Sequence, residues 1–208
     1  MGNRAVITTE ENFKNNGVGV YLHWNGGRDS VEGFLKYCEL KGYRSPDRDC
    51  YGWARLVQVI GNFFGGSLSV GIGTIDHLDC DNWDNGVYLI KGWEIVGREY
   101  FKGAEQDEYP LDEMLQAIDE RMPEREQLGD YLTAEEVDVS ELKIGDTVYI
   151  RDWYENVKEV KILDFGDDRV VNGTNVKGLP YAEIVGGTLG KDNINNYIMY
   201  KKIRRCVR

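Results

Sequence analysis

Histidine is almost missing from this sequence, and cysteine never clusters. His23 and His77 are the only two histidines, and Cys38, Cys50, Cys80 and Cys206 show no CxxC spacing. Zinc knuckles and disulfide frameworks both need grouped cysteines, so neither is indicated, no cofactor is expected, and reduced thiols in a cytoplasmic protein are the expectation. No apolar run approaches membrane-spanning length, and no basic-then-apolar leader opens the chain, which leaves no membrane role to expect. The start Met-Gly-Asn lacks the Ser or Thr that N-myristoylation requires, because Val6 stands in its place. Neither a P-loop nor GxGxxG occurs, and there is no internal repeat or low-complexity tract.

Positive charge is also short, with 25 Lys and Arg against 36 Asp and Glu and a formal net charge of −11. The deficit sits in residues 1–130, where 13 cations face 23 anions for a balance of −10. In residues 131–208 the count is 12 against 13, and five of those cations lie in the final KKIRRCVR. Phosphate contacts need cations, so direct nucleic-acid binding is disfavoured, whereas a basic protein surface would be attracted. What is present is an ordinary soluble composition: 208 residues, 41% hydrophobic and 29% charged, enough for one large domain or two small ones.

The chain is organised around residues 49–88. Trp53, Leu56, Val57, Ile60, Phe63 and Phe64 recur at helical spacing, and Gly65-Gly66 closes that helix, predicted over 52–64. Leu68, Val70 and Ile72 alternate as a strand, and Asp84-Asn85-Gly86 turns the chain into a strand at Val87–Ile90. Earlier, Arg4–Thr8 and Gly17–Trp24 read as strands joined by a connection at Glu10–Asn16. A helix over 30–41 starts at a capping box of Asp29 and Glu32. Trp93–Val96 completes a hairpin, and Pro110 opens a third helix whose stripe is Leu111, Met114, Leu115 and Ile118. Beyond Pro123 the texture changes. Residues 126–137 read as an acidic linker, and short strands follow at Thr147–Arg151, Val157–Leu163, Arg169–Val171 and Tyr197–Ile203. The expected fold class is α+β: a mixed or antiparallel sheet with packed helices over 1–125, then a small all-β, SH3-like barrel over 138–208.

Four groupings carry candidate chemistry. The loop at Asp79, Asp81 and Asp84 resembles a calcium loop only superficially. In either EF-hand register Trp83 falls on a ligand position, so no metal site is expected. The turn Asn25–Ser30, with Arg28 beside it, leads into a helix start and offers a small anionic-ligand site. Tyr51, Arg55, Gln58 and Asn62 share the polar face of the central helix, and an enclosed Arg55 would need Asp79, Asp81 or Asp84 as partner. If these elements converge, His23, Arg28, Arg55, Gln58, Asp81 and Asp84 line one ligand pocket. Finally, Cys50 precedes that helix in the run DCYGWA, which resembles the local pattern of papain-like and NlpC/P60-type hydrolases over about six residues. The resemblance implies Cys50 as nucleophile; the sequence around those families' histidine is absent here, and His77, with Asp76 or Asp79 nearby, is the candidate base with its orienter.

The words GNRAVIT, VYLHWNGG, ARLVQVIGNFFGG, SVGIG and DNGVYLI resemble a group of phage- and prophage-borne proteins of uncharacterised activity. That likeness covers roughly the first hundred residues and implies a genomic setting rather than a chemistry. Together with the acidic body, it leads to the expectation of a non-enzymatic accessory protein that binds a host protein with a basic surface. A nucleic-acid-acting defence effector, inhibited in the anti-restriction or anti-CRISPR manner, fits that description. Trp153 and Tyr154 are its expected protein-binding anchors. The alternatives are the Cys50/His77 hydrolase and the anionic-ligand binder.

Overall fold

The computed structural model describes residues 2–66, 68–105, 108–151, 157–171, 173–184 and 203–205. The chain divides into two units, residues 1–127 and 128–208. The fold is α+β, with a mixed sheet and several helices.

At the centre of the first unit lies β1 (Ala5–Thr9), whose five residues are all buried. It pairs antiparallel with β2 (Val18–Leu22) and parallel with β4 (Val87–Lys91). β3 (Val70–Thr74) adds antiparallel to β2, and β5 (Glu94–Glu99) adds antiparallel to β4, giving the order β3-β2-β1-β4-β5. The register places Ile7, Val20, Ile72 and Tyr88 on one face and Val6, Tyr21, Val87 and Leu89 on the other. Because both faces are covered, β1 is buried along its whole length, with Thr8 and Thr9 enclosed beside Ala5, Val6 and Ile7.

α2 (Arg28–Leu40), α3 (Cys50–Phe64) and α4 (Leu111–Arg121) pack on one another, and α3 lies over the Val20 and Ile72 face. Phe34 of α2 meets Phe63 of α3 edge-on at 5.2 Å. Between α2 and α4 the buried Tyr37 hydroxyl donates to Asp119 Oδ1 at 2.5 Å. Burial first, and that carboxylate second, push the Tyr37 phenol far above its usual range. On the other face Val6, Val87 and Leu89 pack with Phe13, Tyr21, Ile75, Leu78 and Cys80.

Several expectations need correction. Residues 10–14 form a short helix, α1 (Glu10–Lys14), instead of a plain connection, because Thr9 Oγ1 caps the Asn12 amide at 3.2 Å. The stripe of α3 centres on Leu56, Val59 and Ile60, while Trp53 and Val57 are only half-buried. Asp49, whose side chain accepts from the Tyr51 and Gly52 amides, starts that helix, and Gly65, left-handed at φ 69°, ends it. At α2 the cap is Gly27 and not Asp29. The Asp29 carboxylate reaches instead to the Glu108 and Tyr109 amides at 2.8 and 2.9 Å, holding the segment before α4.

In the second unit, β6 (Glu135–Val137), β7 (Thr147–Arg151), β8 (Val157–Phe165), β11 (Pro180–Ile184) and β12 (Ile203–Arg205) form an antiparallel sheet in the order β11-β8-β7-β12-β6. β9 (Val170–Val171) and β10 (Thr174–Asn175) make a separate ribbon. Leu142, Val148, Val160, Ile162 and Ala182 are its main core. Among the described residues the sheet does not close on itself. The stretch 126–137, expected as a linker, is structured: Leu128, Tyr131 and Ala134 are buried, and β6 pairs with β12. Most of the strand expected over 197–203 lies outside the described residues, as do Trp153 and Tyr154.

Candidate functional site

At one end of the first unit's sheet, the turn before α2 and the loop before β4 meet across the start of β1. The Gly26 amide donates to Asn3 O at 2.8 Å, and the Asn85 amide donates to Arg4 O at 3.1 Å. Tyr88 closes the junction by donating its hydroxyl to Gly26 O at 2.9 Å.

The loop is built on Asn82, whose side chain is fully buried. Its Oδ1 accepts from the Asp84 amide at 3.1 Å and the Gly86 amide at 3.0 Å. Its Nδ2 donates to the carbonyls of Asp79 at 3.0 Å and Gly86 at 3.2 Å. One amide thus bonds four backbone groups of the turn, of which the Gly86 carbonyl also accepts from the Val6 amide at 2.9 Å. Gly86 is required as well: its φ is +63°, and a Cβ there would stand 2.3 Å from Glu99 O.

This frame presents Trp83. Its backbone is left-handed at φ 62°, uncommon for a residue with a large side chain, and the residue is 84% exposed. Lys102 Nζ lies 5.7 Å from the ring centroid and leaves most of the indole open. Asp81 is exposed, and Asp79 is about half exposed with its carboxylate 3.6 Å from Arg4. Asp84 turns inward and accepts from Arg4 Nε at 2.7 Å and Arg4 N at 3.1 Å. Desolvation alone would raise the Asp84 carboxyl, but the two hydrogen bonds and the charge of Arg4 outweigh it and hold it below the usual carboxylate range. The hydrogen bond to Asp84 in turn raises the Arg4 guanidinium. The Tyr21 phenol, on the strand beside it, is pushed up by burial and then by Asp79.

Only part of the expected pocket assembles. Asp81 and Asp84 belong to the loop, and His23 lies at the same end of the sheet, its Nδ1 3.4 Å from the Tyr21 hydroxyl. Arg28 faces Glu32 at 2.6 Å and Glu105 at 3.5 Å. Arg55 is exposed rather than enclosed, and its partner is none of the three aspartates: Nη1 donates to Gln58 Oε1 at 2.7 Å. Gln58 donates to Glu126 Oε2 at 3.0 Å, and the Arg55 guanidinium lies over the Tyr43 ring at 5.4 Å. The polar face of α3 is therefore committed to the segments around Tyr43 and Glu126, away from the acidic loop.

Cys50 is exposed as the first residue of α3. His77 Nδ1 is 2.8 Å from Thr74 Oγ1 and 3.1 Å from Asp76. Among the described residues no hydrogen bond links His77 to Cys50, and Asp79 is directed to Arg4 instead of His77. No group of three or more metal-ligating side chains occurs among the described residues, and none of the described helices is long and apolar enough to cross a membrane. The arrangement places an exposed indole on a turn that also carries the exposed Asp79 and Asp81. Compared with protein-family models, curated proteins and solved structures, the chain matches none.

Trp83, Asn82 and Arg4 are the residues that sequence reasoning missed. The signal was present in Asp79–Gly86, an Asp- and Asn-rich turn with a tryptophan at its centre. Composition there says turn, and only the burial of Asn82 shows that the turn is a fixed mount.

Proposed function

We propose that this chain is a phage-borne, non-enzymatic accessory protein that binds a host protein through the loop Asp79–Gly86 and modulates it. The observation that carries the reading is Trp83, held 84% exposed on a loop whose geometry Asn82 over-determines. Large, pre-ordered aromatic side chains supply contact area at low entropic cost and dominate many interfaces. Asp79 and Asp81 flank it within a segment whose balance is −10 over residues 1–130, so the fitting partner has an apolar pocket rimmed by Lys and Arg. Proteins that act on nucleic acid carry such surfaces, and the phage setting implied by the sequence words adds support for a defence effector of the restriction or CRISPR kind. The second unit is proposed to be a small SH3-like barrel serving as a further contact module, a reading supported by its five antiparallel strands and separate ribbon.

The test is binding of the purified chain to candidate host nucleases at low and high ionic strength, beside a DNA control. Expected are affinity that falls with salt and a loss of about 30-fold or more on Trp83→Ala, with the thermal midpoint unchanged. Binding to DNA itself, turnover of a small substrate without a partner, or full affinity in Trp83→Ala would overturn the proposal.

A further inference from the structure

The two edges of the first unit's sheet are treated differently by the sequence. β5 carries Glu94, Arg98 and Glu99, and its register against β4 is broken by a bulge. Charges and bulges are the usual devices that keep an edge strand from pairing with another chain. β3, Val-Gly-Ile-Gly-Thr, has neither: no charged residue, no proline and an unbroken register with β2.

Its hydrogen-bonding state is also specific. The His23 amide donates to Ser69 O, and the Ile75 amide donates to Gly17 O. In an antiparallel ladder this parity aims Gly71 and Gly73 at β2 and turns the N–H and C=O groups of Val70, Ile72 and Thr74 outward. Among the described residues those outward groups have no partner. The side chains of the same three residues lie on the α3 face, where Ile72 is 62% exposed. Beside them Val18, Val20, Ile72, Trp53, Ala54, Val57 and Gln58 line an apolar cleft of about 370 Å³.

We infer that β3 is a self-pairing edge through which two copies of the chain join their sheets antiparallel about a two-fold axis at Ile72. Ile72 then faces Ile72 of the second copy, Val70 faces Thr74, and Gly71 faces Gly73. Every outward N–H and C=O finds its complement, and no charge opposes another, since the strip carries none. A second copy is thus the occupant that the strand's own sequence complements, and an isologous contact closes after two members. The pairing keeps both Ile72 side chains on one face, so the two clefts become neighbours beneath the two α3 helices. The inference does not depend on the Trp83 loop.

Sedimentation velocity over a concentration series tests it, with hydrogen exchange at Val70, Ile72 and Thr74. The expected result is a species of twice the 23.8 kDa chain mass, with those three amides slowing as concentration rises. Ile72→Lys sets like charges opposite each other, and Thr74→Pro deletes one outward donor at a residue whose φ of −78° already suits proline. Both variants are expected to be monomeric with an unchanged circular dichroism spectrum, while Trp83→Ala remains dimeric. A wild-type chain that stays monomeric at every concentration, or a dimer that survives both β3 variants, would overturn the inference.

Discussion

Asn82→Ala isolates the device on which the proposed docking loop depends. The substitution removes four hydrogen bonds, but their losses differ. Gly86 O keeps a second donor, the Val6 amide at 2.9 Å, and Asp79 lies at an exposed position where water can replace the lost donor. The Gly86 amide is buried and would be left without an acceptor, which costs about 1–3 kcal/mol. The Asp84 amide, partly buried, adds roughly 0.5–1 kcal/mol. The sum predicts a destabilisation of about 1.5–4 kcal/mol, read as a fall in the urea midpoint of unfolding. Amide exchange at Asp84 and Gly86 should accelerate by more than global destabilisation accounts for, because the loop opens before the sheet does. Trp83→Ala, by contrast, should change stability by no more than about 0.5 kcal/mol. A loss below about 0.5 kcal/mol in Asn82→Ala, with exchange at Gly86 unchanged, would refute the view that this side chain pins the loop.

Two further outcomes follow from the geometry. Asp29→Ala should free the segment before α4, seen as faster exchange of the Glu108 and Tyr109 amides and a stability loss of about 2–3 kcal/mol for the charge-assisted bonds. The folded-state depression of Asp84 contributes stability that is complete above its unfolded value near 3.8 and is lost as pH falls through the lower folded value. The stability gap between wild type and Asp84→Asn, measured by urea titration, should therefore narrow only in that acid range. A gap that widens on acidification would contradict the sign.

Much of the first unit was legible because its elements carry strong local signals. The stripe of α3, the Gly65 stop and the alternation of β3 name their own secondary structure. Sequence could not show where the polar side of α3 would point, because Arg55, Gln58 and Asn62 look the same whether they face a ligand or the segment around Glu126. Asp29 illustrates a second blind spot: its place before an apolar stripe suggests a cap, yet its partners lie at Glu108 and Tyr109, far along the chain. Asn82 and Trp83 were hidden for a third reason. In a turn of small polar residues, burial is set by what closes over the turn, here the strands carrying Val6 and Glu99, and local composition does not encode it.

The parallel pairing of β1 with β4 bears on how the chain comes to be folded. β1 ends at Thr9 and β4 begins at Val87, so the central strand must wait through residues 10–86 before its second neighbour exists. Closing a loop of that size carries a logarithmic entropy term of roughly 4 kcal/mol at 25 °C, and such non-local pairing slows folding. During synthesis β1 can pair with β2 at once, but its other edge, on a strand whose five residues are all buried in the finished fold, stays open until residues 87–91 emerge. A nascent chain halted before Val87 would therefore leave one edge of the central strand unpaired, and assembly of the sheet is the step that a chaperone would have to protect.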